Sequence, residues 1–142
     1  MAIYFFTSCE KKGFGPLTDV RPIIPVTVAN AVDYRPGPTV SVSRAANNFS
    51  IILEIPASSG RTIKEITKVA ATAGSSAALF GTAGLYTAAA IAGSNSNKIT
   101  FNTSLTEYTA KTGAAVPANN PPTNGIELTR QFYFLITLDN NE

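Results

Sequence analysis

Nine carboxylates have the most obvious capacity for chemistry in this chain: Glu10, Asp19, Asp33, Glu54, Glu65, Glu107, Glu127, Asp139 and Glu142. Two such groups flanking a glycosidic bond suffice for acid–base hydrolysis of a sugar. Here they are scattered singly, the pattern of solvent-facing charges. The sequence holds no histidine, which excludes Ser-His-Asp triads, Cys-His dyads and the usual zinc ligand sets. Cys9 is the single cysteine, so no disulfide forms within the chain. Only Lys11 and Lys12 stand near it to lower its pKa, and a small apolar residue is its expected role. The glycines of "KKGFGP" fit neither GxGxxG nor GxxxxGK(S/T), so no phosphate cradle is expected. "TLDNNE", residues 137–142, comes nearest to a calcium loop, but it reads as a polar tail. The sequence predicts no enzyme, no cofactor and no metal site.

What remains is recognition by surface, and the composition bears on its kind. A chain of 142 residues with 44% hydrophobic content can bury a core as one domain. Only 14% of the residues are charged, against roughly 25% in an ordinary soluble domain. Thr, Ser, Asn and Ala fill the difference, and a surface of neutral polar groups loses little hydration energy when a partner covers it. The net charge of +2 is spread thinly, which argues against nucleic acid as a partner. "MAIYFFTSCEKK" lacks the plan of a signal peptide. Residues 69–93 carry no charge, but Ser, Thr and Gly dilute them too heavily for a membrane span. The expectation is a protein made in a cytosol without secretion, with no membrane partner.

The elements that would position such a surface are strands. Residues 2–8, AIYFFTS, form a compact β-prone run. Residues 39–56 alternate as a β-hairpin, with Asn47–Asn48 in its turn. Residues 61–73 read either way. Thr62 and Glu65 match a capping box, and Ile63, Ile66, Val69 and Ala73 fall near a helical stripe. The β-rich surroundings tip that stretch towards a strand. The Gly/Ala-rich region up to residue 93 would then be short strands and turns, and residues 98–111 alternate as another strand. Residues 112–125 form a long exposed loop of Gly, Pro and Asn. Residues 126–139 are the strongest strand, apolar on both faces from Phe132 onward and so predicted to be central. Together these predict an all-β fold, an antiparallel β-sandwich of Ig-like or jelly-roll-like plan. Residues 1–38 would supply a first strand and an extended arm, and residues 39–142 the sandwich. Tyr4, Tyr108 and Tyr133 fall in strands, leaving Tyr34 and Tyr86 as exposed platforms for a sugar.

The main functional candidate is "PLTDVRPIIPVTVANAVDYRPGP", residues 16–38, which holds five of the nine prolines. Pro22 and Pro25 fix their own backbone and push Arg21 and Ile24 towards extended angles. Val20, Ile23, Ile24, Val26 and Val28 need something to cover them. Two readings stand open: an edge strand packed on the protein's own sandwich, or a pre-extended arm that docks on a neighbour. In the second, Val20, Arg21, Pro22, Ile23, Ile24, Pro25, Val26 and Tyr34 are the contact residues. Tyr34 opens a stiff corner, Tyr34-Arg35-Pro36-Gly37-Pro38.

With its Pro-bearing arm "PLTDVRPIIPVTV", its apolar strand "QFYFLITL" and its charge-poor composition, the chain resembles in general plan the decoration or cement proteins of tailed-phage capsids. That resemblance implies a catalytically silent virion protein, homo-oligomeric with a trimer favoured, that glues a lattice of major capsid protein. The alternative is a carbohydrate- or receptor-binding β-sandwich of the fibre-tip or adhesin kind.

Overall fold

The computed structural model describes residues 23–35, 37–71, 80, 85–116, 125–127 (backbone only) and 132–142. The expected strand at 2–8, Cys9, Val20, Arg21, Pro22 and Pro36 lie outside them. In chain order the first strands are β1 (Thr27–Val28), β2 (Ala31–Asp33), β3 (Thr39–Ser41), β4 (Asn48–Glu54) and β5 (Ile63–Ala70). There follow β6 (Leu85–Thr87), β7 (Ile91–Ser96), β8 (Lys98–Ser104), α1 (Leu105–Thr112), β9 (Gly125–Glu127) and β10 (Tyr133–Leu138). The fold is all-β and sandwich-like, with antiparallel pairing throughout the described sheets.

One layer has the order β1-β4-β8. Its register sets Ile51 opposite Phe101 and Leu53 opposite Ile99. The strict alternation of β4 and β8 puts Phe49, Ile51 and Leu53 on the buried face together with Ile99, Phe101 and Thr103. The facing layer has β5 at its centre, β10 on one side and β6 with β7 on the other. A third, small sheet of order β2-β3-β9 adds Val40 and the nearby Val42 to the same core.

Strand β5 is a strand after all, and its register explains the helical look of its sequence. Opposite β10, Leu135 pairs with Lys68 and Ile136 with Ile66, so Thr67 is an extra residue. Likewise Thr137 pairs with Glu65 and Leu138 with Ile63, leaving Lys64 extra. Each bulge inserts one residue into the pleat. The buried positions therefore recur every third residue, Ile63, Ile66 and Val69, instead of every second.

Three expectations need correction. First, residues 39–56 are not a hairpin: β3 pairs with β2 and β9, whereas β4 pairs with β1 and β8. The bend at Asn47 (φ 63°) carries the chain from one sheet to another. Alternation shows that a strand has a buried face but not which strand lies beside it. Second, the strand expected over 98–111 stops at Ser104, where α1 begins. The Ser104 hydroxyl accepts from the Glu107 amide at 3.0 Å, Glu107 pairs with Lys111 at 2.7 Å, and Gly113 ends the helix at φ 68°. Leu105 and Tyr108, three apart, are its buried face.

Third, the stretch 126–139 holds parts of two strands in different sheets, β9 against β3 and β10 against β5. Among the described residues β10 pairs with β5. Phe132, just before it, is buried with ring centroids 6.1 Å from Phe49, 5.3 Å from Tyr86, 5.7 Å from Phe101 and 5.7 Å from Tyr108. Edge-to-face pairs of this kind fix the rings against each other. Among the described residues no helix is long and apolar enough to cross a membrane.

Candidate functional site

The extended segment divides its apolar side chains between the core and solvent. Val28 is buried and Ile24 packs partly against the core. By contrast Ile23 is 94% exposed and Val26 47% exposed. The cause is the strand itself. Thr27 and Val28 pair with Glu54 and Leu53, so the pleat directs Val28 inward. Beyond that short ladder Ala29 donates to the Ile52 carbonyl at 2.7 Å. The Asn30 side chain donates to the Ser50 carbonyl at 2.8 Å and accepts from the Ile52 amide at 2.9 Å. It thereby substitutes for one further strand residue.

Tyr34 holds the segment from the other end. Its hydroxyl donates to the Val28 carbonyl at 2.5 Å while the residue stays 54% exposed. Asp33 shapes the corner by accepting from the amides of Tyr34 (2.7 Å) and Arg35 (3.2 Å) and from the Arg35 guanidinium (3.3 Å). The Tyr34 amide holds the Asp33 carboxyl below its ordinary value against desolvation, and the Arg35 side chain helps.

Of the residues expected to make contacts, Ile23, Ile24 and Pro25 come together along an open cleft of about 780 Å³. Pro56, Ser58 and Ser59 at the short 3-10 turn Ala57–Ser59, with Arg61, Asn140 and Glu142, line it as well. Val26 turns to another groove, shared with Phe134 and Ile136 of β10. Tyr34 lines neither, and Val20, Arg21 and Pro22 lie outside the described residues. Its described lining is mixed: Ile23, Ile24, Pro25 and Pro56 are apolar, and Ser58, Ser59, Arg61, Asn140 and Glu142 are polar or charged. An open cleft of this kind suits a protein segment better than an enclosed small molecule.

A second cluster lies between α1 and the sheets. Tyr86, expected to be exposed, is instead buried at 4%. Its hydroxyl hydrogen-bonds Thr103, whose hydroxyl donates to Glu107 Oε2 at 3.0 Å. The Thr103 proton being committed there, Tyr86 is the donor to Thr103. Lys111 binds Glu107 and places its ammonium 4.5 Å from the centroid of the Tyr86 ring. Burial first, with the Glu107 charge adding to it, pushes the Tyr86 phenol up to about 12. Lys111 and then Thr103 hold the Glu107 carboxyl down.

At neutral pH this is a neutral phenol and a paired carboxylate, each with its hydrogen bonds made. It fastens α1 to β6 and β8 and poises no group for proton transfer. Sequence reasoning missed the cluster. Its traces were Ser104-x-x-Glu107 and the i, i+4 pair Glu107–Lys111. The burial of Tyr86 also removes it as a sugar platform.

Elsewhere the acids pair with cations: Asp33 with Arg35, Glu54 with Lys98 and Asp139 with Arg61, at 3.3, 3.4 and 3.9 Å. Among the described residues no group of three or more acids, histidines or cysteines could hold a metal ion. Compared with protein-family models, curated proteins and solved structures, the chain matches none of them.

Proposed function

We propose that this protein is a non-enzymatic structural component of a virion, decorating or cementing a capsid lattice through surface complementarity. One observation carries the reading. Ile23 and Val26 stand in solvent on a segment whose next residues are fastened at Val28, Asn30 and Tyr34. An exposed apolar segment that is already extended and anchored loses little conformational entropy when a partner covers it. The low charge of the chain supports the same reading, because covering its surface displaces little bound water from charged groups. In this reading the chain is made in the host cytoplasm, assembles as a homo-oligomer with a trimer favoured, and has a protein lattice such as the major capsid protein as its partner.

Removing residues 1–30 would test the arm crudely, because β1 and Asn30 belong to the sandwich. The sharper variant is the full chain carrying Ile23→Asp and Val26→Asp. Co-sedimentation with capsid particles is expected to fall at least tenfold, with the urea midpoint within error of the parent. Retained co-sedimentation would sink the reading, as would a parent chain that fails to bind particles at all.

A further inference from the structure

The outward face of β4 and β8 carries a polar cleft beside α1. Strand alternation turns Phe49, Ile51, Phe101 and Thr103 inward and leaves Asn48, Ser50, Asn102 and Ser104 on the outer face. The register sets Asn48 opposite Ser104 and Ser50 opposite Asn102, so these four side chains form two adjacent cross-strand pairs. Glu107 of α1 joins them in lining an open cleft of about 480 Å³. Asn48 and Asn102 are exposed and the other three half-buried. Their neighbours hold them in place. The Ser50 hydroxyl donates to Asn102 Oδ1 at 2.8 Å, which fixes the exposed carboxamide and leaves both donors on its nitrogen end. Ser104 Oγ accepts from the Glu107 amide at 3.0 Å and keeps its own O–H to donate. The Glu107 carboxylate takes one bond from Lys111 at 2.7 Å and one from Thr103 at 3.0 Å, and it stays 40% exposed. A carboxylate can accept about four.

We infer that this cleft binds a neutral saccharide. With Lys111 beside it, Glu107 leaves the site without net charge, so neither an anion nor a cation is selected. Phe49 is the large apolar residue of the described lining and is only 7% exposed. The site therefore offers little to an apolar peptide and no ring face for stacking. What matches it is a ligand whose hydroxyls both donate and accept. Adjacent hydroxyls of a sugar ring can donate together to one carboxylate, while the Asn102 carboxamide donates to a sugar oxygen. Side chains in this patch stand about 5 Å apart across the strands and about 7 Å apart along them, the span of one sugar ring. Because the protein groups fix one another beforehand, little side-chain freedom is lost on binding. The affinity rests on hydrogen bonds that compete with water, so dissociation constants in the millimolar range are expected. The described lining shares no residue with the cleft at Ile23 or the groove at Val26, and the site does not depend on what those residues bind.

Amide chemical shifts of the full chain test the site, with glucose, galactose, mannose and N-acetylglucosamine each titrated to about 100 mM. At least one of these sugars is expected to give saturating shifts confined to residues 48–50 and 102–107. Asn102→Ala is expected to weaken that binding about threefold or more. Thr100→Ala, at an exposed position on the same face that does not line the cleft, should leave it unchanged. The urea midpoint of each variant is the folding control. Failure of all four sugars to saturate would overturn the inference, and so would saturating shifts elsewhere or shifts that Asn102→Ala leaves alone. Equal shifts from glycerol or from inorganic phosphate would mark a general polyol or anion effect and overturn it too. Should Asn102→Ala fail to fold, nuclear Overhauser contacts from the sugar to the Asn102 side-chain amide of the unaltered chain decide. Their presence is expected, and their absence refutes the site.

Discussion

Gly93 and Ile63 meet backbone to backbone: a β-carbon on Gly93 would lie 2.1 Å from the Ile63 carbonyl oxygen and 2.9 Å from that of Lys64. This contact seats β7 against the bulged end of β5, where Ile63 pairs with Ser96 and Glu65 with Ala92. Neither obstructing atom belongs to a side chain that could swing aside, so Gly93→Ala must displace a strand. A loss of about 1–3 kcal/mol or more is expected, read as a lowered urea midpoint at unchanged slope. An unaltered midpoint would show that β7 does not approach β5 so closely.

The bulge at Thr67 makes a second prediction. Deleting Thr67 joins Lys68 to Ile66 and removes the bulge, so Ile66, Lys68 and Val69 keep their partners Ile136, Leu135 and Phe134 in regular alternation, with Ile66 and Val69 still inward. No large side chain leaves the core, and the loss is expected to stay within about 0.5–3 kcal/mol. Thr67→Ala keeps the residue count and loses only the hydroxyl contacts to Thr137 and Glu65. It should cost no more than about 1 kcal/mol. A loss above about 4 kcal/mol on deletion, the sign of a large side chain expelled from the core, would contradict the register.

Ser104 is both the last residue of β8 and the cap of α1. If its hydroxyl matters as a cap, Ser104→Ala loses about 1 kcal/mol while Ser104→Gly loses only a few tenths, the order that helix caps give and strand interiors reverse. Chemical denaturation of the three proteins side by side checks that ranking.

Tyr86 predicts an alkaline weakening of the fold. Its phenol is raised from 10.0 to about 12, so between those values the unfolded chain has lost a proton that the folded chain keeps. Stability from this group is therefore complete below pH 10 and declines as pH rises towards 12. The full decline is on the order of 2–3 kcal/mol. Tyr86→Phe cannot show it. At pH 7 that variant is expected to be about 1 kcal/mol less stable than the parent, and the gap should close as the pH is raised through 11. Parallel curves for the two proteins would mean that Tyr86 ionises as freely when folded.

How far the fold could be read in advance depended on what each signal encodes. The period-two pattern of β4 and β8 survives in the structure because both strands run without a bulge opposite each other. In β5 the two inserted residues turned that pattern into a spacing of three, which imitates one face of a helix. The capping-box signature occurs twice, at Thr62–Glu65 and at Ser104–Glu107, and only the second caps a helix. The difference is tertiary: Asn47 meets the second one, accepting from Thr106 through its side chain (3.1 Å) and from Leu105 through its carbonyl (3.0 Å). The site was legible to the extent that proline forces extension. That Val28 turns inward is set by its register with β4, which no local pattern carries.

Asn97 is the one residue between β7 in one layer and β8 in the other. Its carbonyl accepts from the Ile55 amide at 2.9 Å, and its side chain donates to the Ile55 carbonyl at 3.0 Å. The consequence is kinetic. The Thr67 and Thr137 hydroxyls that join β5 to β10 are 70 residues apart in sequence, and the Ser50 hydroxyl of β4 donates to the Asn102 side-chain oxygen of β8 52 residues away, so most pairing must await the closure of long loops. At Asn97 no loop needs closing. The corner can seat a strand of each layer at once and then receive the end of β4 as the first distant partner. Folding should accordingly be slow but committed from this point, with Asn97→Ala slowing refolding by nearly its whole effect on stability and leaving the unfolding rate almost untouched.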